Sequence, residues 1–310
     1  VLLSDSRFKD QIRHQAPGEM KVVMQTMDVI KEIAGQLKQL DVKTVLVEGE
    51  FISATQFEAL KQACPDLNFI LNAELVETVR NIKDELELET LQKAIDISAQ
   101  SFKEILPLIE PGVSERAIGA KLDYLFKMNG GDGPSFETII ASGYRGSWAH
   151  GVASDKKIQK GELIVIDFGS FYHGYTADIT RTVALGHVEP ELEKIYYIVL
   201  EAQKRGIAAA IAGNTGKDID QAGRNYIREQ GYGEYFGHGI GHGIGLEVHE
   251  LCTPAMPYSK EVMKNNMAIT VEPGIYLPDR GGVRIEDDVL IKDNHPYVMS
   301  QLPKDELLIL

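Results

Sequence analysis

Two stretches of this chain close in the same way. Gly161-Glu-Leu-Ile-Val-Ile-Asp167 and Asn266-Met-Ala-Ile-Thr-Val-Glu272 are apolar runs ending in an acid that stands two residues before a glycine. Short apolar runs of this kind read as buried strands. Each is followed by a second strand carrying another acid, Asp178 after the first and Glu286 after the second. In a hairpin, residues equidistant from the turn lie opposite one another on one face. Asp167 and Asp178 have their midpoint at Tyr172 and His173, beside a His173-Gly174 turn, and Glu272 and Glu286 have theirs at Asp279, inside the turn-rich 278–282. Each hairpin is thus expected to set two carboxylates side by side. Like charges so placed destabilise a sheet unless something neutralises them, and a bound cation is the simplest compensator.

Helix patterns surround these hairpins. Leu88, Leu91, Ile95, Phe102 and Ile105 mark one stripe, ended at Pro107 and Pro111-Gly112. Ser114 caps a second helix with the stripe Ile118, Leu122, Leu125 and Phe126, stopped by Gly130-Gly131. Pro190 opens a third (Leu192, Ile195, Val199, Ala202), and a fourth (Ile219, Ala222, Tyr226) closes at Gly231. The pattern predicts two related helix-helix-hairpin units around an antiparallel sheet, an α+β domain spanning 83–310. Before it, the strand-like Val45-Leu46-Val47 and Phe69-Ile70-Leu71 alternate with helix faces at Val29, Ile33, Leu37 and at Phe57, Leu60, Cys64. That is a smaller α/β domain over 1–82. No glycine-rich nucleotide turn follows its strands, so no chemistry is assigned to it. The chain opens at Val1, directly in a strand-like run, and this domain is expected to begin upstream.

Composition narrows the partners. In 310 residues acids outnumber bases 46 to 32, a formal charge of -14, which disfavours nucleic acid. No apolar run approaches a membrane span, and no signal peptide is visible. The Lys304-Asp-Glu-Leu307 run is followed by three more residues and is not a retention signal. Two cysteines, Cys64 and Cys252, form no ligand-like spacing, and a cytoplasmic setting is expected.

Between the hairpins lies Gly237-His238-Gly-Ile-Gly-His242-Gly-Ile-Gly-Leu-Glu-Val-His249-Glu250. Glycine at alternate positions costs a helix about 1 kcal/mol each. In an extended chain His238 and His242 share one face. Four carboxylates and one imidazole suit Mn²⁺, Co²⁺ or Zn²⁺ and disfavour copper(I) or iron-sulfur chemistry. Four acids around one ion leave excess negative charge, so two ions roughly 3.5–4 Å apart fit better. Such a pair activates a water and polarises a carbonyl, enough to hydrolyse an amide without a nucleophilic side chain.

In their order and spacing, Ser135-Phe136 through Ser142-Gly143 with His150, Ile166-Asp167-Phe-Gly, Asp178-Ile-Thr-Arg181-Thr182, Gly241-His242-Gly-Ile-Gly245 with His249-Glu250, Val271-Glu272-Pro-Gly274 and Arg284-Ile-Glu286-Asp-Asp288 resemble the pita-bread metallopeptidases. The resemblance is to their Xaa-Pro aminopeptidase and prolidase branch. It covers residues about 80–300, and residues 1–80 look like the later part of that branch's N-terminal domain. It implies a pita-bread (creatinase/aminopeptidase-like) catalytic domain and a homodimer. Metal ligands would be Asp167, Asp178, His242, Glu272 and Glu286, with Asp178 and Glu286 bridging two divalent ions, Mn²⁺ first. Glu272 would also act as general base. His249 and His238 would hold the substrate carbonyl and developing charge, His150 would line the pocket for the N-terminal residue, and Arg284 would steady carboxylates.

One departure matters. Members of that branch often carry proline and a basic residue shortly after the His-Glu pair, and in dipeptidases the cation receives the substrate carboxylate. Here 251–254 read Leu-Cys-Thr-Pro, with no arginine before Arg280. The expectation is therefore an Xaa-Pro aminopeptidase acting on proline-containing peptides, with Xaa-Pro dipeptidase (prolidase) as the alternative. A catalytically inactive peptide-binding module and a metal-free creatinase-like hydrolase are rivals that would tolerate loss of the acids. Trp148, two residues before His150, either walls the proline pocket or is ordinary core.

Overall fold

The computed structural model describes residues 1–24, 28–293 and 295–310, and the side chains of 251–254, Cys252 among them, lie outside the described residues. The chain divides into two compact units, Val1–Val76 and Glu77–Leu310. The division falls within α4 (Leu75–Arg80).

The first unit runs β1 (Leu2–Ser4), α1 (Lys9–Gln15), β2 (Val22–Met24), α2 (Val29–Gln39), β3 (Thr44–Glu48), α3 (Ala54–Ala63) and β4 (Asn68–Asn72). A helix between two strands returns the chain in the same direction, and β1 pairs with β2, and β3 with β4, in parallel. Caps sit where the helices start: Asp28 accepts from Lys31 N–H, and Ser53 and Gln56 form a capping box. Among the described residues of this unit the fully buried apolar side chains are Ala34, Leu60 and Cys64, a small core.

The second unit opens with α5 (Glu85–Ile105), capped by an Asp84–Glu87 box, and α6 (Glu115–Met128), capped by Ser114. Six strands follow: β5 (Gly133–Pro134), β6 (Ile139–Ser142), β7 (Leu163–Phe168), β8 (Ser170–Tyr172), β9 (Tyr175–Thr176) and β10 (Ile179–Ala184). Pro190 stands at the start of α7 (Pro190–Ala209), and a Thr215–Asp218 box opens α8 (Gly216–Glu229). The remaining strands are β11 (Gly241–Gly243), β12 (Glu250–Ala255), β13 (Ala268–Val271), β14 (Gly274–Leu277), β15 (Gly281–Arg284), β16 (Asp287–Leu290) and β17 (Tyr297–Val298).

The ladders of this unit are antiparallel, in sheets ordered β10-β7-β6, β5-β8-β9, β12-β11-β13-β16-β17 and β14-β15. Two core clusters match the two helix pairs. Leu91, Ile95, Ile118, Leu122 and Phe126 pack with Ile164 and Ile166, while Leu192, Ile195, Val199 and Ile219 pack with Ile269 and Val271. Each such side chain contributes about 1.5–3 kcal/mol by burial. The backs of β7 and β13 are held by these layers, which fixes where their terminal acids emerge.

Registers decide which acids meet. Tyr172 pairs with Tyr175, leaving His173 (φ 47) and Gly174 (φ 95) as a two-residue turn of the left-handed kind that hairpins prefer. The ladder set by that turn pairs Asp167 with Thr180, so Asp178 is displaced by two residues from the position opposite Asp167 that the sequence predicts. A two-residue shift keeps Asp178 on the same face. At the second hairpin, Val271 pairs with Asp287 and Gly274 with Arg284. Both registers centre on Asp279, and the continuation of either sets Glu272 opposite Glu286, between two sheets.

Candidate metal centre

The ends of β7, β11, β13 and the segments before β10 and β16 open onto a cavity of about 460 Å³. Asp167, Asp178, His242, Glu272 and Glu286 all line it, as do His150, His238, His249 and Arg284. The structure thus brings together every site residue named from the sequence. Ligand atoms of Asp178, His242 and Glu286 lie within 4.8 Å of one another. His242 Nε2 stands 3.4 Å from Glu272 Oε1 and 3.6 Å from Asp178 Oδ2.

Electrostatics favour a positive guest. Burial, with neighbouring carboxylates, raises Asp178 and Glu286 well above the usual range, and burial pushes Glu272 up to about 8. Burial lowers His242 to about 3, leaving a neutral imidazole. Asp167 Oδ1 and Glu286 Oε1 are buried without a hydrogen-bond partner. Orphaned carboxylate oxygens beside a neutral imidazole are donors of the kind divalent ions take, so these residues fit the metal pair that the resemblance implies.

Supporting contacts aim the acids. Arg284 Nη2 donates to Asp167 Oδ2 at 2.6 Å, and its Nε donates to Thr180 Oγ1, which itself donates to Glu286 Oε2 at 2.6 Å. The Asp178 N–H donates to Asp288 Oδ2 at 3.2 Å. Arg284 Nη1 donates to the Tyr276 hydroxyl at 2.9 Å, and that hydroxyl is 2.8 Å from His238 Nε2. His238 Nδ1 faces the Gly239 carbonyl at 2.7 Å, so Nδ1 carries the proton and Nε2 accepts from Tyr276. Burial, then the Arg284 charge, lowers His238 to about 4.

Two sequence expectations change here, and two residues join the site. His238 is not on a strand with His242, because β11 begins only at Gly241; the two rings reach the cavity along a bent path. Trp148 is neither core nor among the cavity-lining residues: it is 51% exposed, under the Arg145 guanidinium and edge-on to Tyr144. Tyr276 and Thr180 were not named from the sequence. A signal existed for Tyr276, which lies four residues after Glu272 and so leaves the chain on the same face. The side chains of 251–254, where no basic residue follows the His-Glu pair, are outside the described residues.

Among the described residues no helix is long and apolar enough to cross a membrane. The profile of metallopeptidase family M24 matches residues 89–293, and that of the creatinase/prolidase N-terminal domain matches 1–82. A protein of Pyrococcus furiosus named Xaa-Pro dipeptidase is 43% identical over 292 residues, 94% of this chain and 83% of its own length. A structure titled Xaa-Pro dipeptidase from Bacillus anthracis superposes with a TM-score of 0.95 at 43% identity, covering 99% of this chain and 86% of that one. One titled X-Pro aminopeptidase from Thermotoga maritima gives a TM-score of 0.93 at 40% identity, covering 99% of this chain and 85% of that one. With the acid-ended strands, the helix pairs and the cavity they share, these likenesses make the chain a member of metallopeptidase family M24, a hydrolase of pita-bread fold preceded by a creatinase/prolidase N-terminal domain.

Proposed function

We propose that the chain is a two-metal Xaa-Pro dipeptidase. This reverses the order expected from the sequence. The names of the P. furiosus relative and the B. anthracis structure favour the dipeptidase, while the T. maritima title keeps the aminopeptidase as the second reading. The observation that carries the proposal is the convergence of Asp167, Asp178, His242, Glu272 and Glu286 on one cavity with carboxylate oxygens left unpaired. An inactive binding module or a metal-free hydrolase would have no need of all five.

In this reading the five side chains Asp167, Asp178, His242, Glu272 and Glu286 would hold two divalent ions, and manganese ranks before cobalt or zinc. The ions supply Lewis acidity to a peptide carbonyl and to a water. Glu272 takes the proton of the attacking water and hands it to the leaving proline nitrogen. His249 and His238 hold the carbonyl oxygen as charge develops on it. His150 lines the place of the N-terminal residue, and Arg284 keeps Asp167 aimed. A homodimer and a cytoplasmic setting belong to the same proposal.

Chelation is expected to abolish hydrolysis of Xaa-Pro dipeptides, and Mn²⁺ or Co²⁺ to restore it. Activity that survives thorough demetallation sinks the proposal. Rates on an Xaa-Pro dipeptide, an Xaa-Pro tripeptide and their alanine counterparts decide the rest: faster cleavage of the tripeptide returns the aminopeptidase reading.

A further inference from the structure

A second group of charges neighbours the site without lining the cavity, and the chemistry above does not use it. Lys83 is 1% exposed and Glu250 6% exposed. Lys83 Nζ donates to Glu250 Oε2 at 2.6 Å, and Arg80 Nη2 donates to Glu250 Oε1 at 3.1 Å. The Lys83 N–H donates to the Asn266 carbonyl at 3.0 Å, which anchors the root of that side chain. Glu250 Oε1 also accepts the Leu246 N–H at 3.1 Å. The carboxylate lies so close to Gly245 that a Cβ there would stand 2.6 Å from Oε1. Beyond it, the Gly245 carbonyl accepts both the N–H of Thr176, at 2.8 Å, and its hydroxyl, at 3.0 Å. Thr176 stands two residues before Asp178.

The segment so held carries His249, the residue before Glu250, whose ring centroid is 4.2 Å from that of His242. Its ladder is sparse: β11 and β12 pair at Gly243 with Glu250 and at Gly241 with Ala255, with an irregularity between. The carboxylate adds a bond to the Leu246 N–H within the turn. A buried ion pair is a weak source of stability, since apolar replacements are often neutral or better, but its bonds are directional. We propose that Lys83 and Glu250, supported by Arg80, form a buried positioning clamp. It sets His249 beside the cage and ties the 243–250 turn to the chain that leads into Asp178. What His249 does there rests on the peptidase reading; the clamp rests on the contacts.

The test uses the full chain loaded with Mn²⁺, in Lys83→Met, Glu250→Gln and the double variant. Each single variant is expected to lower kcat on an Xaa-Pro dipeptide about tenfold or more, as expected when a transition-state contact is misplaced, while KM changes little. Mn²⁺ affinity by calorimetry stays near that of the unaltered chain, because all five cage residues remain. The double variant is no worse than the worse single one, the mark of two residues acting as a unit. Amide exchange at Leu246 and Thr176 accelerates about tenfold or more while that in α7 does not. Variants that melt cooperatively yet keep kcat, lose only melting temperature, or show additive losses overturn the clamp. So does failure of both single variants to fold, which would make the pair a stability element. If the unaltered chain with Mn²⁺ cleaves no Xaa-Pro peptide, the peptidase reading falls, and the exchange rates still decide the clamp.

Discussion

At the scale of single residues, chemistry follows from what each buried group can exchange protons with. Glu272 has a carboxyl raised by burial to about 8 and stands 3.4 Å from His242 Nε2. Glu272→Gln keeps the shape and removes the proposed base, and is expected to lower kcat by about 10²-fold or more in steady-state assays. Near-normal turnover would remove the assigned role. Tyr276→Phe leaves His238 Nε2 and Arg284 Nη1 each without one partner, so kcat is expected to fall by about tenfold with metal affinity kept. The five residues proposed as the cage could be picked out because residue type and strand period carry the information. The Lys83–Glu250 pair could not: its partners are 167 positions apart, and no local pattern announces such a contact.

Strands and turns set the geometry in which those residues act. The His173-Gly174 turn was readable as a turn, yet a one-residue difference in where it centres moved Asp178 two places along the ladder. Only hydrogen bonding between strands fixes such a register. The Asp279 turn was placed correctly, and the acids on either side of it lie where the midpoint rule puts them. In the glycine-rich run the backbone comes close to its neighbour: at Gly241 a Cβ would stand 1.9 Å from the Thr270 carbonyl oxygen. Gly241→Ala must push β11 from β13, at a cost of about 3 kcal/mol or more. The midpoint of urea unfolding checks this, and an unchanged midpoint would mean that β11 moves freely.

For the molecule as a whole, the acid cage is a source of instability until something positive fills it. Glu272, Asp178 and Glu286 have folded-state pKa values raised above those of the unfolded chain, so the native state binds the extra protons. Stability therefore falls as pH rises toward the folded value, about 8 for Glu272. His238 and His242, lowered to about 4 and about 3, act oppositely, but only below their ordinary value of 6.5. Above pH 6.5 these two histidines no longer oppose the acids. Metal-free protein is expected to melt lower at pH 8 than at pH 6.5, by about 2–4 °C for each ~1 kcal/mol in a chain of this size. Saturating Mn²⁺ should shrink the difference, because ions that bind only the folded state stabilise the ionised cage. Scanning fluorimetry at both pH values, with and without metal, reads this directly; a higher melting point at pH 8 without metal would contradict it. The sequence by itself determined the helices, the acid-ended strands, the kind of ion they suit and the family resemblance, because periodicity and residue chemistry are local properties. Only the tertiary structure decided which oxygens are left unpaired, that Tyr276 links Arg284 to His238, that Trp148 stays outside the cavity, and that Lys83 reaches Glu250. Those facts depend on strand register and on side chains far apart in sequence meeting where water is excluded.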